Sequence, residues 1–274
     1  MLKKLFKHEW RDSWKMVGGL NIAVLLLSLL SYLTFSKSFM EAIEENEYLS
    51  MIFALYNMLY FAAIIALGFA TSFFFFYRFY KNLYTDEGYL MHTLPVKTSD
   101  LIWSKAFVTV IWIVISNLVI VFSMLNYINS IMVAGGEGSV WSAFGELFAE
   151  LSMADIPPAY IPMIILIVLI MLISPFYSTF FGYTAISLGQ QTKKHKILAS
   201  IGIYFGLSYA IQIVTSLATV PFTEFMSKVG TMSDNTVAIY MNIIFGISLA
   251  VIAGVTVLFY FITHKIMKTK LNLE

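Results

Sequence analysis

The sequence predicts an all-α membrane protein in which an amphipathic interface helix precedes six transmembrane helices and both termini are cytoplasmic. Each of six charge-free stretches exceeds the about 20 apolar residues that a bilayer-crossing helix needs. The chain must satisfy its own backbone hydrogen bonds within lipid, and the long runs lack the alternation of a membrane barrel, so helices are predicted. The stretches are Met16–Ser36, Tyr48–Tyr77, Ala106–Gly136, Ile156–Thr192, Ile197–Thr223 and Asn235–Thr263.

The whole chain, 1–274, is predicted to be a single transmembrane domain, because 59% of its 274 residues are hydrophobic. The interface helix is placed at 1–16 and a cytoplasmic loop at 78–100. The six spans are placed at about 17–36, 50–77, 102–127, 160–188, 197–220 and 237–263.

The distribution of positive charge predicts the orientation. If residues 1–15, 78–105, 193–196 and 264–274 share one side of the membrane, that side holds 15 of the 17 basic residues. Cytoplasmic loops carry an excess of Lys and Arg. Both termini are therefore predicted to lie in the cytoplasm, and the loops around 37–47, 128–155 and 224–234 are predicted to face outward.

Several classes of function are disfavoured by what the sequence lacks. There is no cysteine, no G-x-x-x-x-G-K-[ST] phosphate loop, no H-E-x-x-H pair and no serine elbow. The central parts of the predicted spans carry no ionisable residue, which argues against a proton-coupled carrier. We therefore expect no enzyme activity, no metal site and no cofactor in this chain, and no nucleic-acid partner.

Residues 2–16 predict a helix that lies in the membrane interface. At 100° per residue the apolar side chains, including Trp10 and Trp14, fall on one half of the helical wheel and the basic ones on the other. Glu9 falls inside the apolar arc, where an unpaired carboxylate is costly. We expect it to pair with a neighbouring base or to meet a partner protein.

The segment 78–105 has apolar side chains in a loop that is otherwise predicted to be solvated. Such side chains need a surface, which is either the bilayer interface or another protein. Ser99 and Asp100 are predicted to cap the helix of the third span. The apolar side chains are Tyr89, Leu90, Met91 and Leu94.

The few amides within the spans allow two interpretations. Asn57, Asn117 and Gln212 either form hydrogen bonds between helices or line a substrate path. Gly202 and Gly206 form a small-xxx-small pair in the fifth span, which permits close helix approach either within the chain or between two subunits. The pattern does not distinguish between these alternatives.

Two motifs resemble the ABC-2 type permeases of Gram-positive bacteria. The opening Phe6–Trp10 (FKHEW) is similar to the start of those proteins, and Tyr84–Pro95 (YTDEGYLMHTLP) is similar to their first cytoplasmic loop. The resemblance implies the type V exporter fold, a bacterial cell-membrane location and two permease subunits, as a homo- or heterodimer. It also implies two separate ATPase subunits that bind ATP and Mg²⁺, and a dimer contact through the first and fifth spans that includes Gly202 and Gly206. The residues implied to couple to the ATPase are Thr85, Asp86, Glu87, Gly88, Tyr89, Leu90, Leu94 and Pro95.

The expected function is therefore that of the permease subunit of an ATP-driven exporter, which moves an amphipathic peptide, drug or lipid out of the cell. The alternative is a non-transporting immunity or sensor protein that binds peptides at its outer face. A secondary carrier is a third possibility, which is distinguished by dependence on an ion gradient.

Overall fold

A computed structural model describes residues 2–93, 96–150 and 157–269, and within these residues the chain forms helices and no strand. A π-helical turn at Trp14–Gly18 joins α1 to α2, and short 3-10 turns lie at Pro158–Tyr160 and Val229–Thr231. The α-helices are α1 (Leu2–Ser13), α2 (Gly19–Thr34), α3 (Lys37–Glu45), α4 (Glu47–Tyr84), α5 (Asp86–Thr93), α6 (Thr98–Gly135), α7 (Val140–Glu150), α8 (Ile161–Gly189), α9 (Lys196–Lys228) and α10 (Asp234–Thr269).

Six helical segments in the described part of the chain are long and apolar enough to cross a membrane, which confirms the prediction of a helical protein with six candidate spans. Each coincides with one of the six predicted stretches. They are Leu2–Thr34, Glu47–Tyr84, Thr98–Gly135, Pro158–Gly189, Lys196–Ser216 and Asp234–Thr269.

Several helices are longer than the spans that the sequence predicts. The helix α4 has 38 residues, which at 1.5 Å per residue is about 57 Å, against a hydrocarbon layer of about 30 Å. Residues 78–84, predicted as loop, are therefore helical. The apolar window marks only the part of a helix that lipid requires, and α4 continues beyond it because side chains near its end, such as Phe79 and Leu83, are buried against other helices.

The amino-terminal region also differs from the prediction of a separate interface helix at 1–16. The helix α1 runs through the π-helical turn into α2, and Ser13, Gly18 and Gly19 all have right-handed helical dihedral angles. Single π-helical turns occur inside α-helices without ending them. The basic segment is thus a continuation of the first membrane helix.

The start of α6 corrects the predicted cap. The carbonyl oxygen of Lys97 accepts hydrogen bonds from the N–H groups of Asp100 (2.9 Å) and Leu101 (3.3 Å). The helix begins at Thr98, so Ser99 and Asp100 lie in its first turn and are not at the cap position. An acidic side chain in the first turn favours the helix through its dipole, which gives Asp100 a different helix-stabilising position from the predicted one.

Two regions predicted as outer loops contain short helices. The helix α3 follows α2, and α7 follows α6. Trp141 of α7 packs on Phe122 of α6, with ring centroids 5.7 Å apart, whereas Phe148 remains 73% exposed. Exposed apolar side chains on an amphipathic helix favour a position in the membrane interface.

Contacts divide the chain into two compact units. The first unit comprises Met1–Lys3, Phe75–Val110 and Ile156–Glu274, and the second comprises Lys4–Phe74 and Ile111–Asp155. The core of the first unit is formed by large apolar side chains near the ends of α4, α6, α8 and α10. Its most buried members include Phe79, Leu83, Tyr84, Ile102, Phe180, Tyr183, Phe259 and Met267.

The second unit combines a small apolar core with hydrogen bonds between helices. Val24, Tyr60, Ile64 and Leu67 form this apolar core. Asn21 donates to the hydroxyl oxygen of Ser116 (3.1 Å), which also bonds the hydroxyl of Thr71 (3.1 Å). These contacts tie α2, α4 and α6 together through groups that lipid cannot satisfy.

The side chain of Trp112 on α6 fixes α1 within the second unit. Its indole stacks on Trp10 with ring centroids 5.0 Å apart, and its N–H donates to the hydroxyl oxygen of Ser13 (3.0 Å). Glu9 lies one turn before Ser13 and is 7% exposed. The residue that the sequence places in the apolar arc is therefore buried, and it has an interaction within the chain.

Candidate functional site

The residues implied to couple to an ATPase lie at the junction between α4 and α5. Thr85 separates the two helices: its carbonyl oxygen accepts from the N–H of Gly88 (2.7 Å), and its hydroxyl donates to the carbonyl oxygen of Lys81 (2.6 Å). One residue thus caps the end of α4 and starts α5. Leu94 and Pro95 lie outside the described residues, as does the side chain of Leu90.

The last turns of α4 are buried at the base of this junction. Phe79, Leu83 and Tyr84 are fully buried. The ring of Phe79 stacks on Tyr183 of α8 with centroids 3.7 Å apart, and the hydroxyl of Tyr84 donates to the hydroxyl oxygen of Ser187 (2.7 Å). The end of α4 is therefore held firmly against α8.

A polar cluster joins α5 to α4 and α6. Lys81 forms an ion pair with Glu87 (2.9 Å), and both side chains are about half exposed. In the amide orientation that satisfies its neighbours, Asn82 donates to the second carboxylate oxygen of Glu87 (3.1 Å) and accepts from the ammonium group of Lys105 (3.0 Å). We call Lys81, Asn82, Glu87 and Lys105 the junction cluster.

The sequence pattern does not mark Asn82 and Lys105 as site residues. Lys105 contributes there only to the charge that predicts orientation, yet it is 3% exposed. A buried ammonium group needs oxygen partners, and the Asn82 amide supplies one. A lysine placed one to two turns inside a helix that becomes a span is the signal that points to such a partner.

The face of α5 that points away from the junction is available for contact. Tyr89 is 66% exposed, and Asp86 is exposed as well, whereas Gly88 is buried. Tyr89, one of the apolar side chains that the sequence singled out, is therefore largely uncovered within the described chain. The α5 helix thus presents an exposed face beside the buried end of α4.

The three amides predicted for a substrate path differ in their bonding. Asn57, in the second unit, donates to the carbonyl oxygen of Phe53 (2.8 Å) and accepts from the hydroxyl of Tyr127. Asn117, in the second unit, and Gln212, in the first, are exposed. Their side-chain amides bond no other described residue, which leaves them able to hydrogen-bond a ligand.

A cleft of about 470 Å³ lies between α8 and α9 in the first unit and contains Gln212. Its walls combine aromatic rings with hydroxyl groups, an arrangement that suits a ligand with apolar and polar parts. The aromatic, hydroxyl and amide side chains that line the cleft include Tyr177, Phe181, Tyr204, Ser178, Ser208 and Gln212.

Gly202 and Gly206 lie on an exposed face of α9. A methyl group built at either position meets no described atom within 4 Å, so the internal-contact alternative finds no partner here. The side chains around them, Phe205 (65% exposed) and Tyr209 (66% exposed), are also uncovered. Within the described part of the chain this face of α9 is uncovered.

Comparison of this chain with protein-family models, curated proteins and solved structures gives no match.

Proposed function

We propose that the chain is the permease subunit of an ATP-driven exporter of the ABC-2 type, located in a bacterial cell membrane. The observation that carries the proposal is α5: an eight-residue helix between two 38-residue membrane helices, with an exposed Tyr89. In this proposal α5 docks on a separate ATPase subunit at the cytoplasmic side.

The rigidity of the junction supports such a role. A docking helix transmits force only if its base does not yield, and the packing of Phe79 and Tyr84 on α8 supplies that base. The junction cluster extends the connection to α6 through Lys105. A displacement of α5 is then transmitted to α4, α6 and α8 together.

The sequence supports a separate ATPase subunit. The chain has no phosphate-binding loop of its own, so the proposal assigns ATP and Mg²⁺ to the partner ATPase and assigns no catalysis to this chain. A second permease subunit, identical or different, would cover the face of α9 that carries Gly202 and Gly206. Small residues there permit the backbones of two helices to approach closely.

The cargo proposed is an amphipathic molecule such as a peptide, drug or lipid. The cleft between α8 and α9 offers aromatic walls and the amide of Gln212, and none of these groups carries a charge. An amide exposed on a membrane helix is costly unless something bonds it, so Gln212 and Asn117 are the amides that favour a ligand contact.

The test is the variant Tyr89→Asp, with Tyr48→Asp as its matched control. Tyr48 is 81% exposed and lies in the first turn of α4, the helix whose other end leads into α5. A charge placed in an apolar interface is expected to weaken association with the ATPase by about 2–4 kcal/mol. The measurement is co-purification with the ATPase and the ATP hydrolysis of the assembled complex in vesicles.

Tyr48→Asp is expected to assemble and to hydrolyse ATP normally. Equal assembly of the two variants would refute docking through α5. A chain that purifies without any ATPase, and that binds peptides on its outer face, would instead support the immunity or sensor alternative. Transport that follows an ion gradient without ATP would support a secondary carrier.

A further inference from the structure

The turn between α8 and α9 carries an unusual concentration of positive charge. Lys193, Lys194, His195 and Lys196 are consecutive, and the sequence has no Asp or Glu between Asp155 and Glu224. No acid on either helix of this hairpin is therefore close in sequence to neutralise the three lysines. Such a patch attracts anions.

The four side chains also have no partner elsewhere in the described chain. No hydrogen bond or ion pair of any of them is present among residues 2–93, 96–150 and 157–269. The lysines of the junction cluster differ in this respect, since Lys81 pairs with Glu87. The cationic groups of the α8–α9 turn are therefore available to a ligand.

The backbone of the turn has a defined conformation. The hydroxyl of Thr192 donates to the carbonyl oxygen of Gly189 (2.8 Å), and His195 adopts a left-handed conformation with φ of 51°. Gly189 packs so closely on Ser200 that a methyl group there would lie 2.5 Å from the Ser200 backbone. The backbone positions of the lysines are thus set by a defined turn.

An open depression of about 480 Å³ adjoins the turn. Lys193, His195 and Lys196 line one part of it, and apolar side chains of the first turns of α9 line the other. The apolar residues are Ile197 (55% exposed), Leu198 (69% exposed) and Ile201 (48% exposed). The depression therefore has a cationic end and an aliphatic wall that runs along a membrane helix.

Because α8 and α9 are both candidate spans, the turn between them lies where helices leave the hydrocarbon layer, at the level of lipid headgroups. We propose that this depression binds an anionic phospholipid. Lys193, His195 and Lys196 hold the phosphate, and the acyl chain lies along Ile197, Leu198 and Ile201. The site depends on the membrane location of the hairpin and not on the proposed exporter function.

The aliphatic wall distinguishes a phospholipid from a free phosphate ion. A soluble anion gains only from the cations, whereas a lipid also gains from contact with the exposed wall residues. The charge distinguishes an anionic lipid from a zwitterionic one, because a basic residue near the membrane surface favours anionic lipid by about fivefold. The contribution of the aliphatic wall and the contribution of the basic residues can each be removed separately by mutation.

The experiment is native mass spectrometry of the full chain, purified and delipidated in detergent and titrated with phosphatidylglycerol or with phosphatidylcholine of the same acyl chains. The variant Lys193→Gln/Lys196→Gln is compared with Lys265→Gln/Lys268→Gln. The control lysines are exposed near the end of α10, on the same predicted side of the membrane. Circular dichroism establishes that each variant is folded.

We expect the first variant to weaken phosphatidylglycerol binding by about 25-fold, at fivefold per lysine, and the control to change it by less than threefold. Equal losses in both variants, or equal binding of the two lipids by the unmodified chain, would overturn the proposal. In a second arm, Ile197→Ser/Leu198→Ser is expected to weaken phosphatidylglycerol binding while leaving competition by inorganic phosphate unchanged. Inorganic phosphate that binds as tightly as phosphatidylglycerol would show a soluble-anion site instead.

Discussion

At the scale of single residues, two glycines of α8 allow contacts that a side chain would prevent. A methyl group on Gly182 would lie 2.2 Å from the ring of Phe76 on α4, and one on Gly189 would lie 2.5 Å from the backbone of Ser200 on α9. The first neighbour is a side chain in the buried core, and the second is backbone that cannot rotate away. These glycines set how closely α8 packs on α4 and α9.

Replacement of Gly189 by alanine is therefore expected to destabilise the protein by about 1–3 kcal/mol, the usual cost of an overpacked contact. Gly206→Ala is the control, because its methyl group meets open space and alanine is the better helix former by about 1 kcal/mol. Thermal unfolding in detergent measures both. Equal unfolding temperatures would show that the contact between α8 and α9 yields without cost.

Replacement of the predicted path amides is expected to have different effects at Asn57 and at Gln212. Asn57→Leu removes a hydrogen bond to Tyr127 and is expected to lower stability by about 1 kcal/mol. Gln212→Leu removes no bond within the described chain and is expected not to lower stability, while it lowers substrate-stimulated ATP turnover. A loss of stability in the Gln212 variant, with normal transport per folded molecule, would contradict the role in a path.

At the scale of elements, the junction of α4, α5 and α6 combines an exposed ion pair with a buried hydrogen bond, and these contribute unequally. The Lys81–Glu87 pair is half exposed, and exposed pairs contribute little to stability. The bond from Lys105 to Asn82 involves an ammonium group that is 3% exposed. The buried bond between α4 and α6 is therefore expected to contribute more to stability than the exposed pair between α4 and α5.

Asn82→Leu is expected to destabilise the protein by about 1.5–3 kcal/mol, since it removes a hydrogen bond from a buried charged group. Lys81→Gln, one residue away on the same helix, is expected to leave the unfolding temperature nearly unchanged. Chemical or thermal denaturation of both variants in detergent measures this difference. Similar losses in the two variants would show that the exposed pair holds the junction as strongly as the buried bond.

The same junction shows how far the sequence predicts this fold. The number and location of the spans follow from hydropathy, because lipid imposes a minimum apolar length. The ends of α4 and α6 do not, since beyond the lipid a helix continues or stops according to tertiary contacts such as Tyr84 on Ser187. The burial of Lys105 is not predicted either, because hydropathy treats any lysine as exposed. The start of α6 after Lys97 depends on local backbone hydrogen bonds, which hydropathy does not describe.

The sequence indicates that an intramembrane amide forms a hydrogen bond between helices, but it does not indicate which residue is the partner. The sequence interpretation that intramembrane amides bond between helices holds for Asn57, whose partner Tyr127 lies 70 residues away. Periodicity within one helix carries no information on which residue of another helix faces it. The path role of Asn117 and Gln212 stays a prediction, as does the subunit contact at Gly202 and Gly206.

At the scale of the whole molecule, one property connects the proposals: basic residues are segregated between alternate loops. If the loops alternate as the sequence predicts, 15 of the 17 basic residues share one side, and the positive-inside rule then predicts that α5 and the α8–α9 turn lie in the cytoplasm. Docking of a cytoplasmic ATPase on Tyr89 requires this orientation. The reverse orientation would leave α5 outside the cell, where no ATPase could engage it.

The orientation is tested by single cysteines, which the natural chain lacks. Ser38, Ser142 and Ser233 are exposed and lie on the predicted outer side, so Ser→Cys at each is expected to react with an impermeant maleimide in intact cells. Lys194→Cys, exposed in the α8–α9 turn, is expected to react only after the membrane is permeabilised. Because serine and cysteine are nearly equal in size, the outer variants should fold normally. Labelling of Lys194→Cys in intact cells, together with protection of the three outer positions, would invert the topology and remove the basis for ATPase docking.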